Sequence, residues 1–294
     1  MGTIKFKLKG HESFILREGW LTKGLRAVNS DNKVFSDNSG ADALGVGTNM
    51  AKSIRYWMRT AGLTSFTPSK QEELTELGRL LLENDEYFED DFSLAIVHSN
   101  IARNFEAATS WNLFFNCIPI GSSFNRDELY NMMKESFTEK TGEENPTERS
   151  LRDDCSAILA MYGKQDDQNG DPEEKRISPF ETFSLVARNG NRYEKKRAAL
   201  ERIHAFVVLY LIVDKLNENG SIQIDELTDG DNMPGKLFNL NRIAVNGFLD
   251  DLHAMNYIDV NRTAGLDIIY PKACKDMKKE MVVQRYYQLR GDNQ

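Results

Sequence analysis

The chain has 294 residues, of which 40% are hydrophobic and 28% charged, with 20 Gly and only 7 Pro. Such a composition belongs to a globular protein of about two average domains and excludes disordered, collagen-like and fibrous classes. No window approaches the roughly 18 apolar residues of a membrane span, and residues 1–10 alternate Lys with Ile and Phe instead of opening a signal sequence. A cytoplasmic protein without a membrane partner is expected.

Three cysteines far apart, Cys117, Cys155 and Cys274, fit neither a disulfide framework nor a zinc site. The four histidines share no HxxxH or HxH spacing, so metal ligands would have to be carboxylates. The net charge of -8 argues mildly against a protein that coats nucleic acid. Its distribution is uneven. Residues 45–70 hold Lys52, Arg55, Arg59 and Lys70 and no acid, residues 71–91 hold nine acids against Arg79, and residues 272–290 hold six bases against Asp276 and Glu280. The expectation is of basic surfaces on an acidic body.

In chain order, 5–9 alternates like a short strand or arm, and the spacing of 14–28 predicts a helix. After a stretch rich in Asn, Asp and Ser over 29–40, residues 41–44, the turn Gly45-Val46-Gly47 and residues 48–63 read as helix, turn, helix. Thr48 is the expected N-cap and Gly62 the stop. Segments 69–82, 92–108, 111–116, 126–137 and 151–162 read as successive helices. The polar, acidic 165–172 is the best linker, and it divides a helical DNA-binding unit, 1–165, from a second unit, 178–294. There, 198–217 reads as a helix, 221–227 as a strand and 233–240 as a short helix. A longer helix over 241–255 carries Val245, Phe248, Leu249 and Leu252 on one face, and 257–261 with 266–270 form a hairpin. This is the order of a winged helix, followed by a basic C-terminal helix. The expected fold is therefore mainly α: a helical N-terminal region with a helix-turn-helix-like element, plus a C-terminal winged helix with a small β-hairpin.

The most informative segment is 49–61. At 100° per residue, Met50, Ile54, Trp57, Met58 and Ala61 gather on one side, and Lys52, Arg55, Tyr56 and Arg59 on the other. Three cations and one aromatic on a solvent face suit phosphate contact with guanidinium reach to base edges, although plain amphipathic surface helices share the pattern and outnumber DNA readers. Thr48 and Asn49 add polar groups where helix-start amides can meet phosphate. The turn lacks the Lys-Ser/Thr ending of a P-loop and a full GxGxxG, so ATP and NAD are not expected. In the winged helix Arg242 and Arg262 are the candidate DNA contacts, but Asp250 and Asp251 oppose phosphate, which leaves a protein-pairing role equally open. Tyr286 and Tyr287 either stack on an unpaired base or lie on a solvated helix.

For catalysis, His11 and Glu12 beside Arg17 and Lys23 offer a base, a carboxylate and phosphate-binding cations for phosphodiester work. A loop histidine next to Glu is more often structural. His98, in an apolar helix, is expected to satisfy core hydrogen bonds, and Asp153 and Asp154, being adjacent, point to different helix sides. There is no GxSxG, HExxH or HNH-like pair.

Segments 9–24 (KGHESFILREGWLTKG) and 44–57 (LGVGTNMAKSIRYW) resemble a bacterial domain-of-unknown-function family, number four thousand and seven, which includes SspB-like proteins. Segments 108–116 (ATSWNLFFN) and 124–129 (FNRDEL) look like its middle region, so the resemblance spans most of the chain. The resemblance implies a DNA phosphorothioation and phage-defence gene cluster, in which a cysteine desulfurase and a sulfurtransferase-like ATP pyrophosphatase put sulfur into the DNA backbone. It also implies DNA nicking, the activity associated with SspB-like members, with DNA and the other proteins of that system as partners. No catalytic motif carries over residue by residue. If nicking needs a divalent metal, Mg²⁺ on carboxylates that the sequence does not identify is the expectation. The rival reading is a non-catalytic winged-helix DNA-binding adaptor or transcription regulator.

Overall fold

A computed structural model describes residues 4–36, 40–69, 71–163 and 177–291. The expected linker 165–172 lies outside them. The protein is mostly helical with small antiparallel sheets. Among the described residues no helix is long and apolar enough to cross a membrane.

Its centre is built from three helices that are apolar nearly all round, the pattern of buried rather than surface helices. These are α5 (Asp91–Arg103), α6 (Thr109–Cys117) and α9 (Ala205–Asn219), in which Phe92–Ser99, Thr109–Asn116 and Ala205–Val213 are continuous buried runs. Around them pack α1 (Trp20–Ser30), the single turn α2 (Ala41–Leu44), α3 (Thr48–Thr60), α4 (Glu76–Asn84), α7 (Arg126–Thr141), α8 (Glu148–Tyr162) and α13 (Lys279–Gly291). Helices α1 and α3 touch at Gly24, where a Cβ would come within 2.5 Å of the Met58 sulfur and 2.8 Å of Ile54 Cγ2. Any side chain there would push the two helices apart.

The expected elements largely form, with several departures, one of them over 221–227, where the expected strand stops at Gln223 and a helix begins at Ile224. Over 14–28 the helix starts only at Trp20, because Gly19 takes φ 75 and Glu12 and Ser13 are also left-handed. The expected helix 69–82 splits into strand β2 (Glu72–Leu74), paired with β1 (Thr64–Phe66), and α4, whose N-cap Thr75 accepts from the Gly78 amide. Gly47, not Thr48, occupies the N-cap position of α3. A hairpin of β4 (Val186–Asn189) and β5 (Arg192–Lys195) had no sequence signal assigned, and β5 also pairs with β3 (Ser123–Phe124). That ladder joins the two halves of the chain.

The C-terminal part runs α9, β6 (Ile222–Gln223), α10 (Ile224–Asp229), α11 (Pro234–Leu237), α12 (Arg242–Ala254), β7 (Ile258–Asn261) and β8 (Ile268–Pro271). Its antiparallel sheet is ordered β6-β8-β7. Asn241 caps α12 through the Ala244 amide, and Val245, Leu249 and Leu252 are fully buried as their spacing predicted.

Two buried polar side chains pin this assembly. His98 on α5 is hydrogen-bonded through Nδ1 to the Tyr162 hydroxyl and through Nε2 to the Leu237 carbonyl, each at 2.9 Å, inside a ring of five aromatics. This is the core role expected of it. Lys195 on β5 is 1% exposed, and its Nζ donates to the carbonyls of Phe114, Phe115 and Ile118, closing the C-terminal end of α6. Burial, with Lys236 nearby, pulls its pKa down to about 7.

Burial likewise holds His98 down to about 4, although the bond to Leu237 opposes it. The unfolded imidazole titrates near 6.5, so as pH falls the unfolded chain takes the proton first. Stability is intact above that value and drains away toward pH 4, by about 2 kcal/mol between pH 7 and pH 5. Urea unfolding at the two pH values should show this drop in the wild type and a shallower one in His98→Gln. An equal drop in both would assign the acid sensitivity to other groups.

Candidate nucleic-acid interface

The cationic helix forms as α3, but its outer face differs from the expected one. Tyr56 is buried, its hydroxyl donating to the Ala107 carbonyl at 2.9 Å and its ring edge-on to Trp57 at 4.9 Å. It is unavailable for stacking on a base. Arg55 and Arg59 lie one turn apart, and both end on Glu72 of β2, a carboxylate whose side chain has no exposed surface. Arg55 Nε and Arg59 Nε each donate to it at 2.7 Å, Arg59 Nη2 adds a further bond, and Thr64 Oγ1 donates at 2.8 Å. The two arginines are therefore not free cations on a solvent face. A buried carboxylate must be paired, and these guanidiniums pair it.

Burial pushes the Glu72 carboxyl upward, and the bonds from Arg59, Arg55 and Thr64 outweigh that, leaving it below the ordinary carboxylate range. About a quarter of each arginine side chain stays exposed. Over that surface lies Phe66, itself half exposed, with the Arg59 guanidinium carbon 3.4 Å and the Arg55 carbon 5.2 Å from its ring centre. Lys52, a turn earlier, is exposed and makes no ion pair among the described residues, and Thr48 and Asn49 are exposed at the helix start.

The residues considered for catalysis are not brought together. His11 is 1% exposed, and its Nε2 donates to Asp154 Oδ1 at 2.9 Å. The same carboxylate receives Ser110 Oγ at 2.6 Å and the Lys9 amide at 3.0 Å. The ring stacks on Trp57 at 5.9 Å and meets Trp111 edge-on, and its buried Nδ1 has no hydrogen-bond partner among the described residues. His11 thus fastens the N-terminal arm to α6 and α8 in a place substrate does not reach. Its carboxylate partner is Asp154, while the neighbouring Glu12 points to solvent. Asp153 and Asp154 do diverge as expected, Asp153 pairing outward with Lys9 Nζ at 2.5 Å. Lys23 lines a cleft of about 850 Å³ with Arg26, Lys33, Asp31 and Asp42. Arg17 lies against Phe14 and Trp20 in an adjoining cleft of about 480 Å³ with Glu18, Asp91 and Arg202.

The other two candidate contacts are also occupied. Arg242 bridges Asp225 and Asp267, and Arg262 binds Asp250 at 2.8 Å and Asn246 at 2.9 Å. Beside them Ile243 is 80% and Leu266 52% exposed. On the outward side of α12 and its hairpin both arginines are thus neutralised, and two large apolar side chains stand exposed beside them.

Part of the charge that is segregated along the sequence is paired in space. From the acidic run 71–91, Glu72 takes Arg55 and Arg59, Glu86 takes Arg26, Asp91 takes Arg202, and Asp90 takes Arg290 and the Tyr286 hydroxyl. Tyr286 also stacks on Phe92 at 3.8 Å, and Tyr287 bonds to Ser93 Oγ at 2.5 Å, so neither ring stands on a solvated helix. The expected basic surface thus narrows on α3, while Lys275, Lys278, Lys279 and Arg285 near the C-terminus make no ion pair among the described residues. Glu72 and Asp154 could not be singled out beforehand, since nothing distinguishes either from the acids beside it.

The family described as "Protein of unknown function (DUF4007)" matches residues 8–287. Two solved structures share the fold. One, titled "SspB crystal structure", is 24% identical with a TM-score of 0.84, and the match covers 96% of this chain and 88% of that one. The other, "Magnesium ion-bound SspB crystal structure", is 23% identical with the same TM-score and coverage. No curated protein matches the chain.

Removing the shared carboxylate leaves two guanidiniums forced together. Glu72→Gln should lower stability by about 2 to 3 kcal/mol, and the double change of Arg55 and Arg59 to Met by more, because it strands a buried charge. Chemical denaturation checks both. A Glu72→Gln protein as stable as the wild type would mean that the triad contributes nothing.

Proposed function

Because the chain belongs to the DUF4007 family, we propose that it is a DNA-binding component of a bacterial DNA phosphorothioate modification and phage-defence system. The observation that carries this reading is the cationic surface of α3, where Lys52 stands open beside two guanidiniums fixed in place. Two guanidiniums share the one carboxylate and Lys52 stands beside them without a counter-charge among the described residues, so a positive excess remains, and an arginine fork held by Glu72 loses little freedom when it meets phosphate. Lys52, Thr48 and Asn49 supply backbone contacts at the helix start, with the exposed parts of Arg55 and Arg59 behind them. The fold likeness to SspB supports membership of such a system, and other proteins of the system are partners in this reading.

In the same reading α2 and α3 form a helix-turn-helix-like element in the unit 1–165, and the C-terminal unit 178–294 contains a winged helix from α9 to β8. Arg242 and Arg262 are spent on aspartates, which favours pairing with another protein over DNA contact for the winged-helix face.

Nicking is the catalytic part of the proposal. A magnesium-bound SspB has been solved, yet among the described residues of this chain no three His, Cys, Asp or Glu side chains are placed to hold a metal. His11, the base considered for nicking, is spent on Asp154 in the core, which favours the second reading, a non-catalytic DNA-binding adaptor or transcription regulator.

Two measurements separate these. Supercoiled plasmid incubated with the protein and Mg²⁺ should relax to open circles if it nicks, whereas persistent supercoils with retained binding would establish the adaptor. In a gel-shift salt series, Lys52→Ala should flatten the slope of log affinity against log salt by about 0.9, the value of one phosphate contact on duplex DNA. An unchanged slope removes α3 from the interface.

A further inference from the structure

A second recognition surface lies between α9, α12 and α13, where a cleft of about 620 Å³ opens beside His204, Phe206, Met255, Tyr257, Arg285 and Tyr286. That volume is within the range of small-molecule sites. Its walls are aromatic and held rigid. Phe206 meets Tyr257 edge-on at 5.0 Å, and His204 meets Tyr286 at 5.0 Å. Tyr286 cannot swing, since its ring is stacked on Phe92 at 3.8 Å and its hydroxyl donates to Asp90 at 3.1 Å. His204 Nδ1 accepts the Phe206 amide at 3.2 Å as the cap of α9, so Nε2 carries the proton of the neutral ring. Burial lowers the pKa of this imidazole, against the pull of Asp251, which keeps it neutral near pH 7.

One cation at this cleft is open. Arg285 uses Nε to donate to the Tyr257 hydroxyl at 3.2 Å and makes no ion pair among the described residues, which leaves both terminal nitrogens for a ligand. Arg290, the other lining arginine, is neutralised by Asp90. A planar ring suits aromatic walls, and an anion suits the guanidinium fork. The chemistry that joins the two is a nucleotide.

We propose that this cleft binds one nucleotide unit, an unpaired base with its phosphate, taken from a single-stranded stretch of DNA. The base lies along Tyr286, the phosphate meets Arg285, and Met255, 38% exposed, forms the rim. This deepens the DNA reading and rests on it for the source of the nucleotide.

The test compares three ligands on the full chain: a single-stranded oligonucleotide with a central 2-aminopurine, the same sequence as duplex, and free dAMP. The wild type should bind the single strand and quench the 2-aminopurine. Arg285→Glu and the cleft-filling Met255→Trp should each weaken that binding tenfold to a hundredfold, with duplex affinity within a factor of two. Unchanged unfolding curves for both variants keep the comparison valid, and Arg285→Lys should restore part of the affinity. Single-strand affinity that neither variant alters would overturn the proposal while the duplex result leaves the DNA reading standing. Binding of dAMP without the oligonucleotide would overturn the strand as source. Failure of every ligand to bind would remove the DNA reading and this proposal together.

Discussion

A carboxylate that has no contact with water must find its counter-charge inside the fold, and Glu72 finds it on two successive turns of one helix. Because the ion triad is built from α3 and the β1–β2 hairpin, it decides where that hairpin lies, and the bond from the Glu72 amide to the Asn32 carbonyl fixes the same hairpin to the chain leaving α1. It decides as much about the surface. Without Glu72 the guanidiniums would sweep through solvent, and with it they hold one orientation, shielded by Phe66 and lined up behind Lys52. The interaction that takes charge away from the helix face is the same one that gives the face a shape.

The rest of the molecule repeats this economy of charge. Within the acidic stretch 71–91, Glu72, Glu86, Asp90 and Asp91 take arginines from elsewhere in the chain, so part of the charge that the sequence segregates is paired in the fold. Most of these pairs are solvent-exposed and contribute little to stability individually, whereas the triad at Glu72 and the His11–Asp154 link are buried and specify position. The two proposed recognition surfaces each rest on a cation without an ion pair among the described residues, Lys52 at the start of α3 and Arg285 at the rim of the aromatic cleft. The face of α12, with Ile243 bare and its arginines satisfied, is suited to a protein rather than to phosphate.

Much of the architecture was legible because apolar spacing is a direct record of burial. Helices α7, α8, α9 and α12 and the C-terminal hairpin fall close to where periodicity puts them, and His98 takes the core role its surroundings imply. The misreadings have physical causes. Strand β2 and helix α4 share an acid-and-leucine pattern that a single helix would also show, and only the cap at Thr75 separates them. Tyr56 belongs by angle to the polar face of α3, but its ring is large enough to reach the core and its hydroxyl finds a carbonyl there. The partners of Arg55, Arg242 and His11 are 17, 25 and 143 residues distant, and a one-dimensional pattern carries no record of such pairings. Lys195 is the extreme case, a lysine buried by the carbonyls of a helix end some eighty residues earlier.

The proposed DNA contact rests on α3 as oriented by Glu72. Amide hydrogen exchange of the full chain with and without a saturating duplex reads this directly. Slower exchange across residues 45–60 and the β1–β2 hairpin, with α12 and its hairpin unaffected, is the expected result. Protection confined to α12 and residues 258–271, with α3 exchanging as in the free protein, would contradict it.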